Sequence, residues 1–103
     1  MLKVEEVYEK EIKTLKERHD GSEYVSFEKV YDTRDCLLNR EYIVSIQPYY
    51  FTTSSDDKKL NGRFPEGTKF CVFVLDGNSF RSSEIIVVGS FEKFCRMLQE
   101  HDS

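Results

Sequence analysis

The sequence predicts an α+β domain: a mostly antiparallel sheet of about five strands, built as a meander plus a hairpin, with an N-terminal and a C-terminal helix packed on it. Three observations carry this. Residues 1–18 are densely charged with apolar side chains every third or fourth position, the middle of the chain alternates with a period of two, and the last third reads hairpin, cap and helix. A chain of 103 residues holds one core, so 1–103 is taken as a single domain.

In "MLKVEEVYEKEIKTLKER", Val4, Tyr8, Ile12 and Leu15 form one helical stripe with Val7 beside it. Glu6 with Lys10 and Glu9 with Lys13 have the order that favours ion pairs one turn apart, and "HDG" at 19–21 supplies a stop. Residues 1–18 are therefore expected to be an amphipathic helix, packed on its own sheet or offered to a partner. From 24 to 51 the pattern is that of a three-strand meander: "EYVSFEKVYD", a turn at "DTRD" (32–35), then "CLLN" and "REYIVSIQPYYF". Pro48 cannot donate to a ladder, which places its strand at an edge or at a bulge. Residues 52–66, "TTSSDDKKLNGRFPE", read as one long loop.

Residues 67–88 give a hairpin whose turn centres on Asp76 and Gly77, with "RSSE" at 81–84 as a bend or bulge in the return strand. Ser90 is a good N-cap, and Phe91, Phe94, Cys95 and Leu98 recur at helical spacing, so 90–101 is expected to be the C-terminal helix. The strand "KFCVFVL" is apolar on both faces, and each face needs a cover. The C-terminal helix supplies one; the N-terminal helix, a closed sheet or a second copy of the chain supplies the other. A symmetric homodimer through that face or through the N-terminal helices is the expectation.

Residues 27–98 resemble the small bacterial flagellar and swarming-motility FlbD-like proteins and similar uncharacterised bacterial or phage proteins. The likeness lies in "LLNREYIVSI", in the strands flanking "DG", and in "SFEKFCRML". What it implies is a small regulatory or interaction protein, with no catalytic residues carried over.

Chemistry-bearing patterns are sparse. His19, Cys36, Cys71, Cys95 and His101 show no metal-ligand spacing, and Cys95 and His101 fall on different faces of one helix. The aspartates of "DTRD" and "SSDD" suit turn chemistry, and no phosphate-binding or hydrolase motif occurs. The expectation is a protein that is not an enzyme and needs no cofactor or metal. Three cysteines in apolar settings, no signal peptide and no long apolar run point to the cytoplasm.

Six tyrosines and eight phenylalanines are a heavy aromatic load. Interaction candidates are Tyr49, Tyr50 and Phe51 of "PYYF", with Lys58, Lys59, Arg63 and Phe64 from the neighbouring loop, since aromatic residues and arginine are enriched at hot spots. The favoured partner is a protein, as for a regulator or inhibitor that binds a host protein. The second candidate is nucleic acid, read by Lys58, Lys59, Arg63 and Lys69 beside stacking rings, against which stands a net charge of -4. The alternative for the aromatic residues is that Tyr49 and Phe51 fill the core while Phe64 pins the loop.

Overall fold

A computed structural model describes residues 1–77 and 83–99. One sheet of five antiparallel strands runs in the order β2-β1-β5-β4-β3, formed by β1 (Leu2–Glu17), β2 (Glu23–Leu38), β3 (Ile43–Tyr49), β4 (Phe70–Leu75) and β5 (Glu84–Val88). Two helices complete it, α1 (Ser54–Leu60) and α2 (Phe91–Gln99). The α+β class and the antiparallel sheet are as the sequence predicts.

The N-terminal helix is not there. Residues 2–17 are a sixteen-residue strand, paired along its whole length with β2 from Leu2↔Leu38 to Glu17↔Glu23. Glu6 and Lys10, expected to pair with each other along a helix, pair across strands instead, with Arg34 at 2.9 Å and Asp32 at 2.5 Å, as Lys16 does with Glu28 at 2.6 Å, and Glu9 pairs with Lys59 rather than Lys13. In a strand, positions four apart are roughly 13 Å apart, so Glu6 and Lys10 cannot meet. The turn at "DTRD" is also overturned, because β2 runs straight through it. Asp32, Arg34 and Asp35 each face a β1 cation or anion, and Asp32 Oδ1 further accepts from the Thr33 N–H at 2.8 Å. The expected meander thus becomes one long hairpin followed by β3.

Directly opposed residues of antiparallel strands share a face, so the register sorts the side chains. Leu2, Val4, Leu38, Cys71, Phe73, Ile85 and Val87 lie on one face with α2 over them, and Phe94 meets Phe73 edge-on at 5.0 Å. Ser90 caps α2 as expected: its hydroxyl accepts from the Lys93 N–H at 3.1 Å. Phe91, Met97 and Leu98 pack at the margin of the same core.

The opposite face carries Val7, Glu9, Tyr31, Tyr49, Phe70 and Ile86, and its cover is the segment between β3 and β4. That segment is not a simple loop. Thr53 accepts from the Asp56 N–H at 3.0 Å to start α1, and Asn61 ends it in the left-handed conformation at φ 51°. Pro48 lies on β3, an edge strand, as its missing N–H requires. In the β4–β5 hairpin Val74 faces Glu84 and the Leu75 N–H donates to Ser83 O at 2.7 Å. The connection is therefore longer than a turn centred on Asp76 and Gly77. Arg81 and Ser82 of "RSSE", like the end of the expected 90–101 helix with His101, lie outside the described residues.

Candidate functional site: a projecting ribbon with an aromatic base

The molecule measures 66 × 31 × 20 Å with a Cα radius of gyration of 17.3 Å. A compact chain of this length would give about 13 Å. The excess is the β1–β2 hairpin, since among the described residues β1 pairs with β5 only at Glu6↔Val87 and Val7↔Ile86. Beyond Val7 the two strands leave the sheet as a two-stranded ribbon, with α1 against one face near Glu9 and Tyr31 and both faces exposed farther out.

The turn at the far end holds itself together. The Gly21 N–H donates to Arg18 O at 3.0 Å, and Asp20 Oδ1 accepts from both the N–H and the hydroxyl of Ser22. Those two bonds hold the Asp20 carboxyl below its ordinary pKa. The Arg18 guanidinium stacks 4.9 Å from the Tyr24 ring. Along the ribbon, Leu15, Val25 and Phe27 are 65%, 47% and 62% exposed. Leu15 is directly opposed to Val25, and Phe27 is opposed to Lys13, so all three share the face that carries α1 nearer the body. They form a short apolar row that nothing among the described residues covers.

At the base of the ribbon lies an aromatic cluster. Phe51 meets Tyr31, Tyr49 and Phe70 at centroid distances of 5.0, 5.0 and 4.9 Å, and Phe64 meets Phe70 at 5.1 Å. Tilted and edge-on contacts of this kind are favourable beyond the area they bury. Tyr31 donates its hydroxyl to Asp56 at 3.0 Å, which ties α1 to β2. Burial first, and then the Asp56 carboxylate, push the Tyr31 phenol up to about 12. Asp56 is held low, first by Thr53 and then by Tyr31.

The interaction candidates therefore divide. Tyr49, Phe51 and Phe64 are half-buried in this cluster, on the face away from the buried core, while Tyr50 is 69% exposed. Lys59 reaches Glu9 at 2.7 Å and Arg63 pairs with Asp32. Lys58 and Lys69 stay exposed. The four cations proposed for nucleic acid are thus not one free patch, because two of them are neutralised by carboxylates of the hairpin. A groove between the ribbon and α1 does gather Lys16, Lys29, Lys58 and Lys59, but Lys16 and Lys59 are already paired there.

Sequence reasoning missed Leu15, Val25 and Phe27. The signal was the alternation in "YVSF", which puts Val25 and Phe27 on one side. Leu15 fits a helical stripe with Val4, Tyr8 and Ile12 equally well.

No set of three or more histidine, cysteine, aspartate or glutamate side chains gathers among the described residues in a way that would hold a metal ion. The Cys36 and Cys71 thiols are both pushed up by burial, the reverse of what activates a cysteine nucleophile. No helix among the described residues is long and apolar enough to cross a membrane. Compared with protein families, with curated proteins and with solved structures, the chain matches none of them.

Proposed function

We propose that this chain is a non-catalytic protein-interaction module, a small regulator that presents its β1–β2 ribbon to a protein partner. One observation carries the reading: the ribbon stands clear of the body with Leu15, Val25 and Phe27 exposed in a row on one face. A two-stranded ribbon with water on both sides is marginal by itself, and folding leaves apolar side chains on such an arm only at a cost. A partner that covers the row recovers that cost. The resemblance of residues 27–98 to FlbD-like regulators is in keeping with it. The reading moves the contact surface from "PYYF" and the 52–66 segment to the ribbon, and of the three aromatic residues of "PYYF" Tyr50 is the exposed one.

The test is capture of partners from an extract of the native cells on the immobilised chain, compared with a variant carrying Leu15→Ser, Val25→Ser and Phe27→Ser. The variant should lose the partner and keep its circular dichroism. Equal capture by both chains would move the function off the ribbon.

A further inference from the structure

Four of the chain's 15 lysines and arginines, Lys16, Lys29, Lys58 and Lys59, line one groove of about 600 Å³ between the ribbon and α1, and the one acidic residue lining it is Glu28. In a chain of net charge -4 that concentration does not follow from composition. Glu28 holds Lys16 at 2.6 Å, and Glu9 holds Lys59 at 2.7 Å. Lys29 and Lys58 are exposed and make no ion pair among the described residues; Glu11, opposite Lys29 in the register, does not line the groove. Two positive charges are therefore left over, and Ser55 and Asn61 add neutral hydrogen-bond donors beside them.

We propose that this groove binds a phosphorylated side chain, carried by a segment of the protein partner whose apolar residues cover the ribbon. The inference rests on reading the ribbon as the contact surface and names the chemistry of what it contacts. A phosphorylated serine or threonine brings about 1.5 to 2 negative charges and three acceptor oxygens to one point, which suits two lysines, whereas a single carboxylate leaves one of them unneutralised. A nucleic-acid strand would need a track of free cations. Arg63 is held by Asp32, and Lys69 lies in a different pocket beside Pro48 and Tyr50, so the groove does not continue into one.

Position ties the groove to the apolar row. Val25, Phe27 and Lys29 are alternate residues of β2, so they share a face at steps of roughly 7 Å along the strand. Tyr31, the next residue of that face, is tied to α1, so a bound segment runs from the groove toward the tip. An extended segment advances by the same step as β2. With its phosphate between Lys29 and Lys58, the residues two and four positions away come over Phe27 and Val25, the latter beside Leu15. The pattern recognised is thus a phosphorylated residue with apolar residues at those two positions.

The test is fluorescence polarisation of a labelled peptide of alternating leucine and threonine centred on phosphoserine, which presents the same spacing in both directions, titrated with the full chain beside its unphosphorylated form. The phosphopeptide should bind about tenfold or more tighter. Lys29→Ala with Lys58→Ala should erase that difference, and Lys29→Arg with Lys58→Arg should keep it. Leu15→Ser, Val25→Ser and Phe27→Ser together should weaken both peptides by the same factor, and every variant should keep the parent circular dichroism. Equal affinity for the two peptides, or a difference that survives the alanine pair, overturns the phosphate site. Displacement of the phosphopeptide by an equal concentration of inorganic phosphate would make the groove a site for a free anion, and tighter binding of an oligothymidylate would give it to nucleic acid; either overturns the assignment to a protein segment. If neither peptide binds while the triple serine variant still loses its captured partner, the ribbon reading stands and the phosphorylated segment is refuted.

Discussion

Phe94 is 2% exposed and lies edge-on to Phe73, so it is the side chain that closes the core between α2 and the sheet. Replacing it by alanine should cost about 3–5 kcal/mol, read as a fall in the urea midpoint at unchanged slope. Gly89 bears on the same ring. Its φ is +140°, and a Cβ there would lie 2.6 Å from Phe94 Cε2, so Gly89→Ala meets both backbone strain and overpacking. We expect a loss of about 1–3 kcal/mol by the same titration, and a smaller loss when Phe94→Leu is made with it. Tyr31 reports on the other face. Its phenol is raised from 10.0 to about 12, so its neutral form is favoured in the folded chain. The stability this gives is fully present below the unfolded value and is lost as pH rises through the folded one. Phenolate absorbance should show one tyrosine titrating late, and Tyr31→Phe should abolish that late step.

At the scale of elements, α1 is the piece held by the fewest means. Seven residues cannot sustain a helix alone, and its attachments are Tyr31 to Asp56, Lys59 to Glu9 and Arg63 to Asp32. The three carboxyls all titrate below their ordinary values: Glu9 chiefly through Lys59, Asp32 chiefly through Lys10, and Asp56 chiefly through Thr53. A depressed carboxyl stabilises the fold above its unfolded pKa and ceases to do so as pH falls through the folded one. Hydrogen exchange of the 54–60 amides should therefore rise relative to those of α2 as pH drops below the unfolded values of 4.5 for Glu9 and 3.8 for the two aspartates. Equal protection of the two helices across that range would show that the ring contacts, not the charges, hold α1.

The same scale shows what the sequence could reveal. α2 was legible because its cap, its apolar stripe and its burial agree. β4 and Pro48 were legible for the same reason, each having a chemical requirement that one arrangement satisfies. β1 was not. A strand reveals itself by alternation only when one face is buried, and most of β1 is wet on both faces, so only Leu2, Val4 and Val7 carry the imprint of a core. The remainder is rich in glutamate and lysine, good helix formers, and pairing with β2 overrides that propensity. "DTRD" misled for a related reason, since aspartate suits turns in isolation while here its charge is consumed by Lys3, Lys10 and Arg63. Of the candidate site, the aromatic residues were found but their inward placement depended on contacts between Tyr31 and Phe51 that lie far apart in sequence.

At the scale of the whole molecule, the chain is a small body with a long arm attached through a narrow seam. Shortening the arm by deleting residues 10–30 and joining its stumps with a two-residue turn should leave the buried cluster intact, because none of its members lies in that range. Near-native thermal stability with loss of partner capture is the expected result, and an unfolded product would show that the arm supports the body.

The seam also dictates the order in which the chain can be made. Leu2 faces Leu38, and both are buried in a cluster whose other members come from 71 to 94. The turn at Arg18 to Ser22 closes quickly, yet the ribbon it starts has little to hold it until the far ends of both strands are docked. Formation of the native hairpin must then wait for β4, β5 and α2, and it zips outward from the body toward the turn. Substitutions at Phe73 or Val87 should slow refolding, whereas Leu15→Ser and Phe27→Ser should leave the refolding rate unchanged and act, if at all, on unfolding. The first segment in the sequence would be among the last to acquire its structure.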